Sequence, residues 1–296
     1  MMNRLERDNQ FITNRIHIGQ PFFIGRIAGI ELKIAYSLLH RRPSVQRTEH
    51  AAPIGQGPLD MVHEMKELEN NAGIHVKDLD SLRVYVDQLV AAYDHCTAIA
   101  EWETTGAVFA ITGDGQQLIA ERTPSIPKIA AQSLEPYYVK PSWMPALSGK
   151  KVLIIHPFAK TIHQQVPLLP QLFPGREWFH HCTMTCIAPP LTLAGNHQNI
   201  DWQDHLNTFL STVPDDFDVA LVAAGGYGML IADHIFTKMN RSVMYIGGAL
   251  QLFFGIIGKR WFDNKEILAL VNDDWVRPLS ADKPANFSKV EKGCYW

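Results

Sequence analysis

Short apolar runs that end in glycine or proline turns recur along the second half of the chain. The segments 149–158, 215–236 and 241–255 each begin with charged residues and continue into an apolar run rich in β-branched side chains. A turn follows each run, and apolar residues at helical spacing follow the turn. Strands that are buried on both faces of a parallel sheet have this pattern. The second half therefore predicts repeated strand–turn–helix units.

Other segments extend the same alternation. Segment 200–213 is an amphipathic helix whose acidic Asp201 suits the positive end of the helix dipole. Further predictions are a strand, a turn at Gly29 and a helix over 21–42, an amphipathic helix over 78–96, and strands over 97–102, 106–112 and 179–190. Together they predict an α/β fold, a Rossmann-like open and mostly parallel sheet with helices on both faces.

The predicted organisation has two halves. Residues 1–20 form an N-terminal extension, 21–140 an N-terminal α/β half, and 141–296 a C-terminal Rossmann-like half. The segment 133–150, rich in proline and aromatic residues, connects the halves, and 41–58 reads as a polar loop. One continuous domain with a central cleft is the alternative.

A charge-free run over 242–258 raises the question of a membrane segment. Its 17 residues are at the short limit of a bilayer span, and several glycines dilute its hydropathy. Units of the same plan precede it in the chain. We therefore predict no transmembrane span, but a strand, a short buried helix that begins at Gly247 and Gly248, and an end at Gly255 or Gly258.

Composition narrows the functional classes. A chain of 296 residues that is 46% hydrophobic and 19% charged can build its own core, and a net charge of -3 argues against a dedicated nucleic-acid binder. The polar N-terminus is not a secretory signal, and four cysteines are too few for a disulfide framework, so we expect a cytoplasmic protein. Cys182 and Cys186, four residues apart on a strand, lie too far apart to share a zinc ion.

Candidate chemistry lies in the loops that follow the predicted strands, where open α/β sheets bind their ligands. Arg26 offers a cation for a phosphate, and Glu31 offers a carboxylate that serves as metal ligand or general base. A structural ion pair between them explains the same residues. His156 ends another strand and could act as a base or hydrogen-bond donor, although a satisfied turn histidine is an equal explanation.

Two glycine-rich turns complete the candidate set. Glycines allow a ligand to approach the backbone, and the helix that follows offers free N–H groups. The first of these turns, at 223–230, matches neither the GxGxxG nor the P-loop pattern. Lys259 and Arg260, which follow the second turn at Gly247 and Gly248, either cap the helix that precedes them or face an anionic ligand. The candidates from these turns are Gly225, Gly226, Tyr227, Gly228, Gly247, Gly248, Gln251, Lys259 and Arg260.

In combination, the segments GKKVLIIHPFAKTIHQQ, DFDVALVAAGGYGMLIADHI, VMYIGGALQLFFGIIGKRW and DDWVRP resemble blocks of glycosyltransferase-like proteins with the GT-D-type fold. The segment GRIAGIE is similar to that family's Arg-x-Gly-Asp-Gly-Glu element, whose Asp-x-Glu part is tied to a divalent metal and the sugar nucleotide. Glu31 matches the glutamate, but Gly29 stands where the family has its aspartate. The resemblance covers roughly residues 20–278.

The resemblance implies transfer of a sugar from a UDP- or GDP-type donor to a hydroxyl of a glycan acceptor, in surface polysaccharide, capsule or glycoconjugate assembly. It implies a role for Arg26 and Gly29 at the donor, Glu31 as metal ligand or base, and His156 as the other candidate base. Dependence on Mn²⁺ or Mg²⁺ stays open because of Gly29. The alternatives are a dinucleotide-dependent oxidoreductase that uses the 223–230 turn, and a non-catalytic protein that binds nucleotides or glycans.

Overall fold

The computed structural model describes residues 2–40 and 58–296, and the predicted loop at 41–58 lies outside them apart from Pro58. The strands are β1 (Phe23–Arg26), β2 (Ala98–Glu101), β3 (Lys128–Ala130), β4 (Lys151–Ile155), β5 (Thr183–Ile187), β6 (Val219–Val222) and β7 (Ser242–Tyr245). The α-helices are α1 (Arg4–Ile18), α2 (Ile30–His40), α3 (Pro58–Glu67), α4 (Leu79–Asp94), α5 (Gly106–Arg122), α6 (Ala159–Gln165), α7 (Leu169–Leu172), α8 (Trp202–Leu210), α9 (Gly228–Thr237) and α10 (Lys265–Leu268).

All seven strands form one parallel sheet in the order β3-β2-β1-β7-β6-β4-β5. The predicted α/β class with an open parallel sheet is therefore confirmed. Strands from the first and second halves of the chain meet where β1 pairs with β7, with Phe23 opposite Val243. Because every strand runs in the same direction, the carboxyl ends of all seven lie along one edge.

Helices cover both faces of this sheet, because alternate residues of each buried strand point to opposite sides. In β4, Val152 and Ile154 face one core layer while Leu153 and Ile155 face the other. The first layer includes residues of α1, α6 and the segment after β7. The second includes residues of α2, α4, α5, α8 and α9.

The strand prediction for 106–112 is wrong, since this segment is the start of α5. Thr105 is extended and Gly106 has a φ of 86°, so the chain turns into the helix at that glycine. The apolar residues of this segment resemble a buried strand, but Val108 and Ile111 are exposed on the helix surface. The buried positions are spaced along one helical face further on, at Thr112, Gly115 and Ile119.

The N-terminal segment also holds more structure than its polar composition suggested. Asn3 and Glu6 form a capping box at the start of α1, and Ile12 and Ile16 are buried. The amide of Asn9 donates to the Pro141 carbonyl and accepts from the Trp143 N–H, at 3.0 and 2.9 Å. The predicted extension is therefore a helix that packs on the core.

The charge-free run after Arg241 folds as predicted. It forms β7 and then a 3-10 helix over Gly247–Phe254, which ends at Gly255 in the left-handed conformation with a φ of 62°. Leu250, Leu252 and Phe253 of this segment are fully buried. Among the residues that the structure describes, no helix combines the length and the apolar character that crossing a membrane requires.

Candidate functional site

A crevice forms where β1 and β7 lie side by side, because the chain leaves these two strands toward opposite faces of the sheet. After β1, α2 packs with α4 and α5 on one face, whereas the 3-10 helix after β7 packs with α6 on the other. Ligands of open α/β sheets bind at such a reversal, outside the carboxyl ends of the strands. The crevice between β1 and β7 is therefore the first candidate site.

Arg26, the last residue of β1, spans this crevice. Its guanidinium lies over the ring of Trp102, 4.2 Å from the centroid, and donates a hydrogen bond to the Ile246 carbonyl. A Cβ on Gly247 would lie 2.9 Å from Arg26 Nη1, and Gly247 has a φ of 72°. Glycine at 247 is thus required both by the backbone and by the arginine. The structure brings together Arg26 and the Gly247–Gly248 turn.

A second guanidinium reaches the same region from the other side of the turn. Arg260 lies 4.5 Å from the centroid of the Tyr295 ring and forms an ion pair with Glu291. It also borders an open cavity of about 700 Å³ that Tyr138, Lys265 and the acidic Asp263 and Glu266 line as well. Arg260 is therefore a partly exposed cation that reaches the Gly247–Gly248 turn through the Tyr295 ring.

A buried carboxyl lies within the electrostatic reach of both arginines. Burial raises the pKa of Glu135, and the positive charges of Arg26 and Arg260 act in the opposite direction. Tyr137 donates a hydrogen bond to this carboxyl group. The same two guanidiniums act on the Tyr295 hydroxyl, whose pKa burial raises. The positive charges of Arg26 and Arg260 therefore both act on Glu135 and on Tyr295.

Glu31 lies at the start of α2 and is buried, with 8% of its surface exposed. Burial raises the pKa of its carboxyl, and the negative charge of Glu291 adds to that effect. The Glu31 charge in turn contributes to the raised pKa values of the Tyr85 and Tyr245 phenols. A carboxyl whose pKa is raised keeps its proton to a higher pH than an exposed glutamate, a property that general acids and bases share.

Gly29, which precedes Glu31, lies in a more open place. A Cβ at this position would make an ordinary contact of 3.4 Å with Ile111. The backbone before α2 therefore has room for a side chain, and nothing in the packing requires glycine there.

The glycine turn after β6 is filled by the protein itself. A Cβ on Gly225 would lie 2.8 Å from the Ala72 carbonyl oxygen, while one on Gly226 would overlap Ile74 and one on Gly228 would overlap the Tyr245 ring. The hydroxyls of Tyr245 and Tyr85 donate to the carbonyls of Gly225 and Gly226, both at 3.0 Å. Tyr227 is itself buried. These glycines allow close packing and leave no space for a ligand.

Substitution of Gly226 tests this interpretation. Gly226→Ala is expected to destabilise the fold by about 1–3 kcal/mol, the usual cost of overpacking, because the new methyl overlaps the Ile74 side chain. Gly29→Ala is the matched control and should change stability by less than about 0.5 kcal/mol. Urea unfolding measures both. Equal stability of the two variants would mean that the 225–228 turn has free space after all.

Two further predicted residues have different environments. Gln251 is fully buried, and its side-chain amide donates to the carbonyls of Ile256 and Tyr295 at 3.0 and 3.3 Å. It therefore holds the chain beside the crevice rather than facing solvent. Lys259 is exposed and precedes Arg260 in the 3-10 turn over Lys259–Trp261.

His156 lies apart from this group. It follows β4, which is separated from β1 by β6 and β7, or about 14 Å at the usual strand spacing. The ring is buried, its Nδ1 accepts from the Phe158 N–H at 2.9 Å, and burial lowers its pKa from 6.5 to about 3. The structure therefore does not bring His156 and Glu31 together.

The cysteines hold no metal arrangement in the described residues. Cys182 donates to the Leu147 carbonyl at 3.0 Å, and burial raises the pKa of Cys186 to about 12. All four cysteines are free thiols.

A cluster that sequence reasoning missed lies beside a π-helical turn over Leu68–Ala72. Ligand atoms of Glu69, His75 and His197 lie within 4.8 Å of one another. The carboxylate oxygens are 3.4 Å from His75 Nδ1 and 3.6 Å from His197 Nε2, spacings that two ligands of one tetrahedral ion would have. No local motif announces the cluster, since His197 is remote in sequence from the other two residues.

The ring orientations in this cluster do not suit an ion. The imidazoles of His75 and His197 are stacked, with centroids 3.7 Å apart and planes at 8°, so their in-plane lone pairs cannot converge on one point. His197 Nδ1 accepts from the Asn199 N–H at 3.0 Å, whereas metal-bound histidines donate from their second nitrogen. Lys66 already contacts Glu69 at 2.6 Å. The cluster is a hydrogen-bonded network in this arrangement.

Neither a scan against protein-family models nor searches of curated proteins and of solved structures finds a match to this chain.

Proposed function

We propose that this protein is a glycosyltransferase that moves a sugar from a nucleoside-diphosphate donor to a hydroxyl group of a glycan acceptor. The observation that carries the proposal is the pair of guanidiniums, Arg26 and Arg260, that flank the Gly247–Gly248 turn at the β1–β7 crevice. Guanidiniums suit the oxygens of a diphosphate. Four free cysteines are consistent with a cytoplasmic reaction.

In the proposed reaction the bond between sugar C1 and the diphosphate oxygen breaks, and the diphosphate leaves with the bonding electrons. Arg26 and Arg260 stabilise the charge that develops on it. The acceptor oxygen forms the new bond to C1, and the Glu31 carboxylate takes the proton of the acceptor hydroxyl. The raised pKa of Glu31 supports this assignment, since the group then holds a proton more readily than an exposed glutamate.

The donor set at Glu31 does not fit a resident divalent ion. Glu31 is a buried carboxyl with a raised pKa, and Gly29 supplies no ligand. Among the described residues, Glu31 is not part of the one group of three or more His, Cys, Asp and Glu side chains with closely spaced ligand atoms. The residues therefore favour charge neutralisation by the two arginines over Mn²⁺ or Mg²⁺.

The alternatives have less support. A dinucleotide oxidoreductase would use the glycine turn after β6, which the side chains of Ile74 and Tyr245 fill. A non-catalytic binding protein would use the same crevice as the transferase. Only the transferase needs the Glu31 carboxylate as a base, so the effect of changing Glu31 distinguishes the two functions.

The first test is stabilisation by ligand. UDP or GDP at millimolar concentration is expected to raise the melting temperature, because a ligand adds about 2.7 kcal/mol to stability at about 100 times its Kd. UMP and GMP, which lack the second phosphate, should act more weakly, and NADH should have no effect. Stabilisation by NADH alone would support the oxidoreductase, and no shift with any nucleotide would contradict both.

Arg26→Lys gives the residue-level form of the same test. Lysine keeps the charge but loses the planar fork, so the Kd for the nucleoside diphosphate is expected to rise about 10- to 100-fold. Arg176→Lys is the matched control, because Arg176 also stacks on a tryptophan, 4.9 Å from the Trp178 centroid. Equal Kd values for the two variants would remove Arg26 from the site.

A further inference from the structure

The crevice is covered by a segment of the chain itself. Residues 291–296, here called the strap, cross the Gly247–Gly248 turn, and the Tyr295 ring occupies the place where a Cβ on Gly248 would point. The guanidinium of Arg260 lies on the other part of this ring, at 4.5 Å. Tyr295 thus fills the space next to the backbone of Gly248 that the proposed function gives to a diphosphate.

Polar contacts hold residues 291–295 of the strap around the crevice, while its last residue, Trp296, is buried in the core against Phe158 and Phe287. The backbone N–H of Glu291 donates to Asn71 Oδ1 at 3.3 Å, and the Arg260 N–H donates to the Cys294 carbonyl at 2.8 Å. Gln251 donates to the Tyr295 carbonyl at 3.3 Å. The side chain of Glu291 forms an ion pair with Arg260, so the strap also neutralises the positive charge of Arg260.

The start of the strap is strained. Glu291 and Lys292 have φ values of 44° and 58°, and Gly293 follows with 71°. Left-handed backbone is unfavourable for residues other than glycine, and such strain is concentrated at functional sites. Two consecutive non-glycine residues in this conformation make the observed position of residues 291–295 less favourable than an unstrained backbone would be.

We propose that the strap is a gate for the diphosphate site, and this inference rests on the proposed function. With the gate closed, Tyr295 excludes a diphosphate from Gly248 and Glu291 neutralises Arg260. When residues 291–295 move away, with Trp296 still anchored in the core, both the turn and the Arg260 guanidinium become available. Donor binding and strap closure therefore compete, and the apparent affinity of the donor is reduced by the fraction of closed molecules.

Removal of the Tyr295 ring tests the competition. Tyr295→Ala is expected to bind UDP and inorganic pyrophosphate at least about fivefold more tightly than the wild type in calorimetric titrations, since fewer molecules are closed. Tyr295→Phe retains the ring and should bind like the wild type. Weaker binding by Tyr295→Ala, with Tyr295→Phe unchanged, would show that the ring contributes to the ligand site and would overturn the gate.

A second measurement needs no nucleotide. Cys294, partly buried in the strap, should be alkylated by N-ethylmaleimide several-fold faster in Asn71→Ala, which loses the contact to Glu291. Asn70→Ala, a change at the neighbouring residue, is the control, and peptide mass spectrometry identifies the modified cysteine. Equal rates in the two variants would overturn the gate. Failure of every variant to bind UDP or pyrophosphate would instead overturn the proposed function.

Discussion

Glu31→Gln is expected to lower the rate of sugar transfer by about 10²- to 10⁴-fold, the usual contribution of a positioned general base. Glutamine is close in shape to glutamate but cannot take the acceptor proton. Binding of UDP or GDP should change little, because the two arginines that hold the diphosphate remain. The measurement is transfer or hydrolysis of a panel of UDP- and GDP-sugars, followed by release of the nucleoside diphosphate.

The same variant should be at least as stable as the wild type at neutral pH. Burial raises the pKa of Glu31 above its unfolded value near 4.5, so its favourable contribution is present at low pH and is lost as the pH rises through the folded pKa. Glutamine carries no charge to bury. The stability advantage of Glu31→Gln is therefore expected at pH 7 and should vanish near pH 4, a pattern that a simple folding defect would not produce.

Glu64→Gln is the matched control for this experiment. Glu64 is also 8% exposed, and it accepts a hydrogen bond from Ser37 further along α2. Its variant should keep full transfer activity. Unchanged activity in Glu31→Gln would contradict the base assignment and favour a mechanism in which the leaving phosphate takes the proton. Absence of activity in the wild type with every donor would favour a non-catalytic binding protein.

The fold was largely predictable because its strands are buried on both faces. Segments such as 152–155 and 243–246 are unbroken apolar runs that can be recognised without knowing which strands they pair with. The failure at 106–112 has the opposite cause. There, apolar residues such as Val108 remain on the surface of a helix, so the periodicity that identifies a helix is masked.

The site was predictable only in part, because the sequence pattern identifies only those site residues that directly follow a strand. Arg26 and the Gly247–Gly248 turn follow strands, and the rule that ligands bind at strand ends selects them. Glu135, Glu291 and Tyr295 come from segments with no regular strand or long helix, and only the tertiary structure brings them to the arginines. The glycines at 225–228 show the reverse case, in which a suggestive turn serves packing.

His156 is expected to make the protein sensitive to acid. Burial lowers its pKa from 6.5 to about 3, so the folded state binds a proton less readily than the unfolded chain. The neutral His156 ring therefore makes its full contribution to the free energy of unfolding above pH 6.5, and this contribution is lost as the pH falls toward 3. One pKa unit corresponds to about 1.4 kcal/mol, so the whole shift amounts to about 5 kcal/mol.

His156→Asn separates this effect from the titration of carboxylates. The asparagine Oδ1 can replace Nδ1 as acceptor for the Phe158 N–H, which is 2.9 Å from the ring nitrogen, but it does not titrate. Between pH 7 and pH 4 the variant is expected to lose about 3 kcal/mol less stability than the wild type in urea unfolding. His17→Asn, at an exposed position in α1, should leave the pH dependence unchanged. The same loss in His156→Asn and wild type would contradict the prediction.

The activity of His156→Asn decides what the histidine does for function. A base must titrate near the working pH and reach the proton it removes, and His156 is buried, neutral and three strands away from β1. We therefore expect transfer by His156→Asn to stay within a few-fold of the wild type at pH 7. If the variant loses activity as strongly as Glu31→Gln while it remains folded, the catalytic centre lies at the end of β4, and the arginines at the β1–β7 crevice only bind the donor.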